Sequence, residues 1–292
     1  MPAVSLAPFH PFSPLPPTDR PWGINYGGGA NSAALIVECF NRGHRPDWIL
    51  FCDTGSEKPE TYAAVNEMAL WCVRREFTEV SVTRWWRQRQ VSGLRDSTAG
   101  RELVHLERWN PGGAFETLED LCLRTSFMPS AAYGYAGCSS KAKRQPAERW
   151  REANGFERTV YAIGYDAGET KRVNKRKCDR TELLTEEPWY PLFTWGIDRA
   201  GCEQKIAEAG LSPVPKSSCF FCPYTKAPEW YRLRVEHPEL FERALKIEAL
   251  AEAAGNARES GLRRSSGYLR SLPVVDADDD RAAPCDCYEA SS

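Results

Sequence analysis

The chain lacks any uncharged apolar run long enough to cross a bilayer, which takes about 20 such residues in a helix. It also lacks a basic segment followed by an apolar one near its start, so no secretory leader is expected. Neither sign of charge dominates: 38 Lys and Arg stand against 40 Asp and Glu, a formal net charge of -2. A field that weak does not draw in nucleic acid, so contact of that kind would have to rest on local basic patches. Without an anchor or a leader, no membrane partner and a cytoplasmic location are expected. The 11 cysteines then belong to a reducing compartment, where clustered thiols bind metal or do redox work more often than they pair.

What is present starts with proline. Residues 1–21 hold seven prolines without periodicity and read as a flexible tail. The remaining length suits one large domain or two small ones, and 42% hydrophobic residues can build a core. Residues 22–26, 48–52 and 77–83 read as strands, and 32–42 and 58–75 as helices. Strands that alternate with helices predict an α/β fold, a mostly parallel sheet with helices on both faces. Ligands of such sheets sit beyond the carboxyl ends of the strands. The domain division that follows is a tail (1–21), an α/β domain (22–215), and a region (216–292) with a Cys-x-x-Cys turn, a helix over 238–254 and a terminal tail.

Two strand ends carry turns of particular chemistry. The first strand runs into Gly27-Gly28-Gly29-Ala30-Asn31-Ser32. Glycine lets the backbone approach an anion, and the free N–H groups of the following helix point at it. Asn31 or Ser32 would cap that helix. Taken alone, the triplet is equally a plain tight turn. The second strand runs into Asp53-Thr54-Gly55, with Pro59-Glu60-Thr61 opening the next helix.

Together and in this order, the two turns resemble those of the phosphoadenosine phosphosulfate (PAPS) reductase family, within the adenine nucleotide α-hydrolase or PP-loop superfamily. That superfamily has a Ser-Gly-Gly-x-Asp-Ser loop, and its reductases an Asp-Thr-Gly…Pro-Glu-Thr segment. Gly27 stands here for the first serine and Asn31 for the aspartate. The resemblance implies a Rossmann-like PP-loop fold that binds an adenine nucleotide through Gly27, Gly28, Gly29, Asn31, Ser32, Asp53, Thr54 and Gly55. A Cys-…-Arg-Lys-…-Pro segment of the family is similar to the stretch from Cys138 to Pro146, and makes Lys141, Lys143 and Arg144 candidates for phosphate or sulfate. A later strand and Asp-Glu-…-Arg segment is similar to the stretch from Thr159 to Arg172, and adds Lys171 and Arg172. Without the resemblance, both basic runs read as solvated faces. The run from Trp85 to Arg89 could stack on bases, or pack its tryptophans inward.

Cys219-Phe220-Phe221-Cys222 can bring two thiolates to one metal, or work as a redox dithiol. Zinc, dithiol chemistry and plain packing all stay open on spacing alone, and Cys39, Cys52, Cys72 and Cys122, in apolar runs, read as packing. Cluster-bearing adenylyl sulfate reductases have Cys-Cys, roughly eighty residues, then Cys-x-x-Cys around one 4Fe–4S cluster. Eighty residues separate Cys138 from Cys219 here. The resemblance therefore implies a cluster on Cys138, Cys219 and Cys222, with zinc as the alternative metal. The fourth ligand is expected from the terminal pair, Cys285 or Cys287, whose tail can fold back onto the site. Cys285 is taken as the ligand, with Cys178 and Cys202 as other sources. The resemblance also places Cys287 as a nucleophile on the tail. The implied function is sulfonucleotide reduction with an unidentified electron donor. The alternatives are iron–sulfur-dependent thiolation of a nucleic acid through adenylation, and a non-catalytic nucleotide-binding module.

Overall fold

The computed structural model describes residues 8–84, 117–129, 137–156, 158–178, 187–214, 216–257, 261–263 and 267–272. In chain order its elements are β1 (Trp22–Tyr26), α1 (Ala30–Asn41), β2 (Trp48–Asp53), α2 (Pro59–Arg74), β3 (Val80–Arg84) and α3 (Leu118–Thr125). There follow α4 (Gly137–Ser139), a π-helical segment (Ser140–Arg144), α5 (Gln145–Ala153), β4 (Val160–Ala162), α6 (Thr170–Cys178) and β5 (Glu187–Trp189). The last helices are α7 (Pro191–Thr194), α8 (Arg199–Glu208), α9 (Ala227–Glu236) and α10 (Pro238–Ala253). The strands form one sheet in the order β3-β2-β1-β4-β5. It is parallel, with Ile24 opposite both Ile49 of β2 and Ala162 of β4. The α/β expectation holds.

Burial explains the strands. Trp48, Ile49, Leu50 and Phe51 of β2 are all almost fully buried, the continuous apolar run of a parallel strand covered on both faces. The second helix matches its expected span within a residue at each end, opened by Pro59 and Glu60 and closed by Arg74, as capping and dipole preferences favour. The first helix begins earlier than expected. Its N-cap is Gly29, with no side-chain cap, so Asn31 and Ser32 lie inside the helix and are free for other partners.

The chain divides into two compact units, each discontinuous. The first holds 1–51, 63–81 and 150–214; the second holds 52–62, 82–149 and 215–292. The chain passes into the second unit for the last time at residue 215. The turn after β2 and the Cys138 segment also belong there, which a reading in chain order had put in the first.

Within the first unit, the segment read as a flexible tail is packed from residue 8 onward. Pro11 C=O accepts from the Tyr190 N–H at 2.9 Å, and Ser13 C=O from the Trp189 indole at 2.7 Å. Phe12 lies against Tyr190 and Phe193. Prolines cost little conformational entropy when ordered, which suits them to such a strap. The second unit has its own core, built on Phe220, Phe221, Trp230, Phe241 and Ile247 with Cys122 and Cys219. Among the described residues no helix is long and apolar enough to cross a membrane.

Candidate functional site

The turn after β1, in the first unit, is open on its backbone. Gly28 has φ +72°, a conformation costly for any other residue. The first N–H of α1 with a helical partner is that of Ala33, bonded to Gly29 C=O at 3.0 Å. Among the described residues, the N–H groups of Gly28, Gly29, Ala30, Asn31 and Ser32 have no protein partner. Five such donors at a helix N-terminus suit an anion. Gly27 differs: its N–H donates to Ser32 Oγ at 3.2 Å, and that hydroxyl donates to Gly29 C=O at 3.0 Å. Ser32 therefore ties the turn to itself. Gly164, after β4, backs onto it, since a Cβ there would lie 3.1 Å from the Ser32 Cα and N.

Asn31 has a specific setting. Its amide donates to Asp166 Oδ2 at 2.9 Å and Glu169 Oε2 at 3.2 Å, both carboxylates buried, and its oxygen accepts from Arg199 Nη1 at 3.2 Å. An aspartate at 31 would set a third carboxylate against two, so the amide follows from its neighbours. Arg172, expected to meet an anion, is paired with Glu169 and lies 4.5 Å over the Tyr165 ring. Lys171 is exposed. The motif reading covered Asp166 and Glu169 within the segment that ends at Arg172, but no local spacing links them, or Arg199, to residue 31.

The turn after β2, in the second unit, is closed. Asp53 is buried; its Oδ1 accepts from Gly55 N–H at 2.8 Å and Tyr62 Oη at 2.9 Å, and its Oδ2 from Arg84 Nε at 2.7 Å. Burial, reinforced by Asp53 and Glu57, pushes the Tyr62 hydroxyl far above its ordinary range, so it serves as a donor. Gly55 has φ +68°, and a Cβ there would lie 2.6 Å from the Thr117 methyl. Thr54 Oγ1 shares a hydrogen bond with Cys219 Sγ at 3.2 Å and donates to Glu57 Oε1 at 3.3 Å. A thiol that donates to Thr54, which donates to Glu57 Oε1, gives both hydrogens an acceptor.

Around Cys219 the second unit gathers charge. Lys143 Nζ lies 3.2 Å from Glu57 Oε1, while Glu57 Oε2 is buried with no hydrogen-bond partner among the described residues. Burial first, and then Glu57, push the Cys219 thiol well above its usual range, while Lys143 and Thr54 pull it down. Cys222 follows in a tight turn, its N–H donating to Cys219 C=O at 3.0 Å. Cys138, half-buried in α4, packs at the edge of the hydrophobic cluster that contains Cys219. It lies near Cys122, a buried thiol pushed up to about 12 by burial first.

The π-helical segment after Cys138 carries Lys141, Lys143 and Arg144, and its Lys143 C=O accepts from Cys52 Sγ at 3.3 Å. Single π turns inside helices occur often at functional sites. Arg144 contacts Ser140 Oγ at 3.2 Å and Glu148 at 3.8 Å, and Lys141 is exposed. Cys138, Cys219 and Cys222 are all thiols, the ligand type of zinc or an iron–sulfur cluster, but the structure does not gather their three sulfurs within 4.8 Å of one another. Cys285 and Cys287, and the run from Trp85 to Arg89, lie outside the described residues. Cys178 is described in its backbone only, and Cys202 is fully buried in the first unit. Three ligand atoms that sequence reading missed, on Glu60, Glu236 and His237, lie within 4.8 Å of one another, with His237 Nε2 3.0 Å from Glu60 Oε1.

No family model and no curated protein matches the chain. Solved structures do. One is a phosphoadenylyl-sulfate (PAPS) reductase from Candida auris in a phosphate complex, 14% identical over 66% of this chain and 74% of that one, with a TM-score of 0.34. Another is the U34-tRNA thiolase NcsA from Methanococcus maripaludis with its 4Fe–4S cluster, 10% identical over 90% of this chain and 85% of that one, with a TM-score of 0.38.

Proposed function

We propose that the chain is a PAPS reductase-like enzyme that binds an adenine nucleotide at the turn after β1 and carries out sulfur chemistry with the cysteines of its second unit. The observation that carries the first half is the row of unspent N–H groups from Gly28 to Ser32, behind a glycine at φ +72°. A phosphate chain supplies the acceptors these donors lack. The second half rests on the thiol set. Cys138, Cys219 and Cys222 are the residues that would hold a 4Fe–4S cluster, with Cys285 as the fourth. Such a cluster, held by four thiolates, would supply electron transfer. Thr54, Glu57 and Lys143 hold the proton and charge balance around Cys219.

Calorimetry of anaerobically purified protein with ATP, adenylyl sulfate and PAPS, beside iron and zinc analysis, tests both halves. At least one nucleotide is expected to bind, with about four irons per chain and visible absorbance that Cys138→Ser, Cys219→Ser or Cys222→Ser each removes. Failure of all three nucleotides to bind ends the first half. Stoichiometric zinc without iron would leave the nucleotide reading standing and make the thiols a structural zinc site.

A further inference from the structure

The first helix of the nucleotide turn is faced by a cation that its own helix does not need. Arg199 opens α8, whose first turn contains no acidic residue. A cation there is set against the positive end of the helix dipole and weakens the helix. Asp198, the N-cap, already satisfies the Gly201 N–H at 2.8 Å. What the position achieves is reach: Arg199 Nη1 donates to Asn31 Oδ1 at 3.2 Å, next to the unspent donors of the turn, while its Nε holds Glu203 Oε1 at 2.8 Å. Two of the five guanidinium N–H groups are thereby used, and the side chain is 36% exposed.

We infer that Arg199 contacts the phosphate chain of a nucleotide seated on the Gly28–Ser32 turn, the role sequence reading gave to Lys171 and Arg172. This rests on the nucleotide reading above. Charge supports it, for Asp166 and Glu169 stand buried beside Asn31. Against two carboxylates, the turn needs a cation before a polyanion can settle there. Arg172 is the other cation near this pair, and it is held by Glu169 and stacked on Tyr165. Arg199 is anchored at two points, Nε and Nη1, which orients its planar group before a ligand arrives.

Calorimetry of the whole chain with ATP, ADP, AMP and adenosine is the test, on the native protein and on Arg199→Gln and Arg199→Lys. Loss of one charge-assisted bond to phosphate is expected to weaken ATP binding about tenfold in Arg199→Gln, with adenosine unaffected. Arg199→Lys should recover part of the loss, as a point charge without the fork. Equal ATP affinity in the native protein and Arg199→Gln overturns the inference and leaves the nucleotide reading intact. So does an equal loss for ATP and adenosine, which marks a packing role. A native protein that binds none of the four overturns both.

Discussion

The two turns that follow β1 and β2 look alike as sequence, glycine-bearing and each at the end of a buried strand, yet they spend their polar groups in opposite ways. After β1 the backbone donors from Gly28 to Ser32 are left unspent. After β2 the polar groups are used inside the protein, with Asp53 taking three hydrogen bonds among the described residues and Thr54 joined to Glu57 and Cys219. A turn whose donors are idle is built to receive something, whereas a turn whose acceptors are filled is a joint. The glycines follow suit: the positive φ of Gly28 opens donors outward, and that of Gly55 lets the chain press against Thr117.

The contrast is broken most directly at Asp53. Asp53→Ala removes the buried carboxylate that accepts from Arg84 Nε, the Gly55 N–H and the Tyr62 hydroxyl, and breaking a buried ion pair by removing one partner costs about 3 kcal/mol or more. Urea unfolding should read that loss, with the ATP affinity of the folded fraction unchanged. Unchanged stability with lost affinity would make Asp53 a ligand contact and erase the difference between the turns. Next in size is the pair of glycines. Gly55→Ala is expected to cost about 2 kcal/mol in strain and crowding with nucleotide binding retained. Gly28→Ala should cost about 1 kcal/mol but lower ATP affinity about tenfold. Parallel titrations and melts of the two variants sharpen the comparison, and equal effects on affinity would end it.

The smallest effect is expected at Asn31. Asn31→Asp places a third carboxylate by Asp166 and Glu169, a repulsion worth about 1 kcal/mol at neutral pH. Repulsion by its two neighbours raises the folded-state pKa of the introduced carboxylate above its unfolded value. The penalty is therefore present at neutral pH and disappears as pH falls through that raised value. Melting curves of the variant should approach those of the native protein toward pH 4, whereas a gap that widens on acidification would contradict the assignment.

The strands and long helices were legible because burial dictates them: Trp22 to Tyr26, Trp48 to Phe51 and the amphipathic run from Pro59 show their periods directly. The start of α1 was not, because a helix capped by the Gly29 backbone leaves no side-chain mark. The setting of Asn31 was hidden for a different reason. Its partners stand 135 and 138 residues away, so the cause of an amide in that place lies in tertiary structure. The junction of Thr54, Glu57 and Cys219 was equally out of reach. The motif marked Thr54 and Cys219 separately, while Glu57, the carboxylate linking them, falls between the motif positions.

The strap of residues 8–21 has a consequence for association between molecules. It runs beside β5, an edge of the sheet, and meets the Tyr190 N–H and the Trp189 indole there. Exposed edges recruit strands from other molecules. A strap with prolines at 8, 11, 14, 16 and 17 has no N–H at those places to extend the ladder further. A segment whose composition suggests a dispensable linker thus works as a terminator for the β5 edge of the sheet.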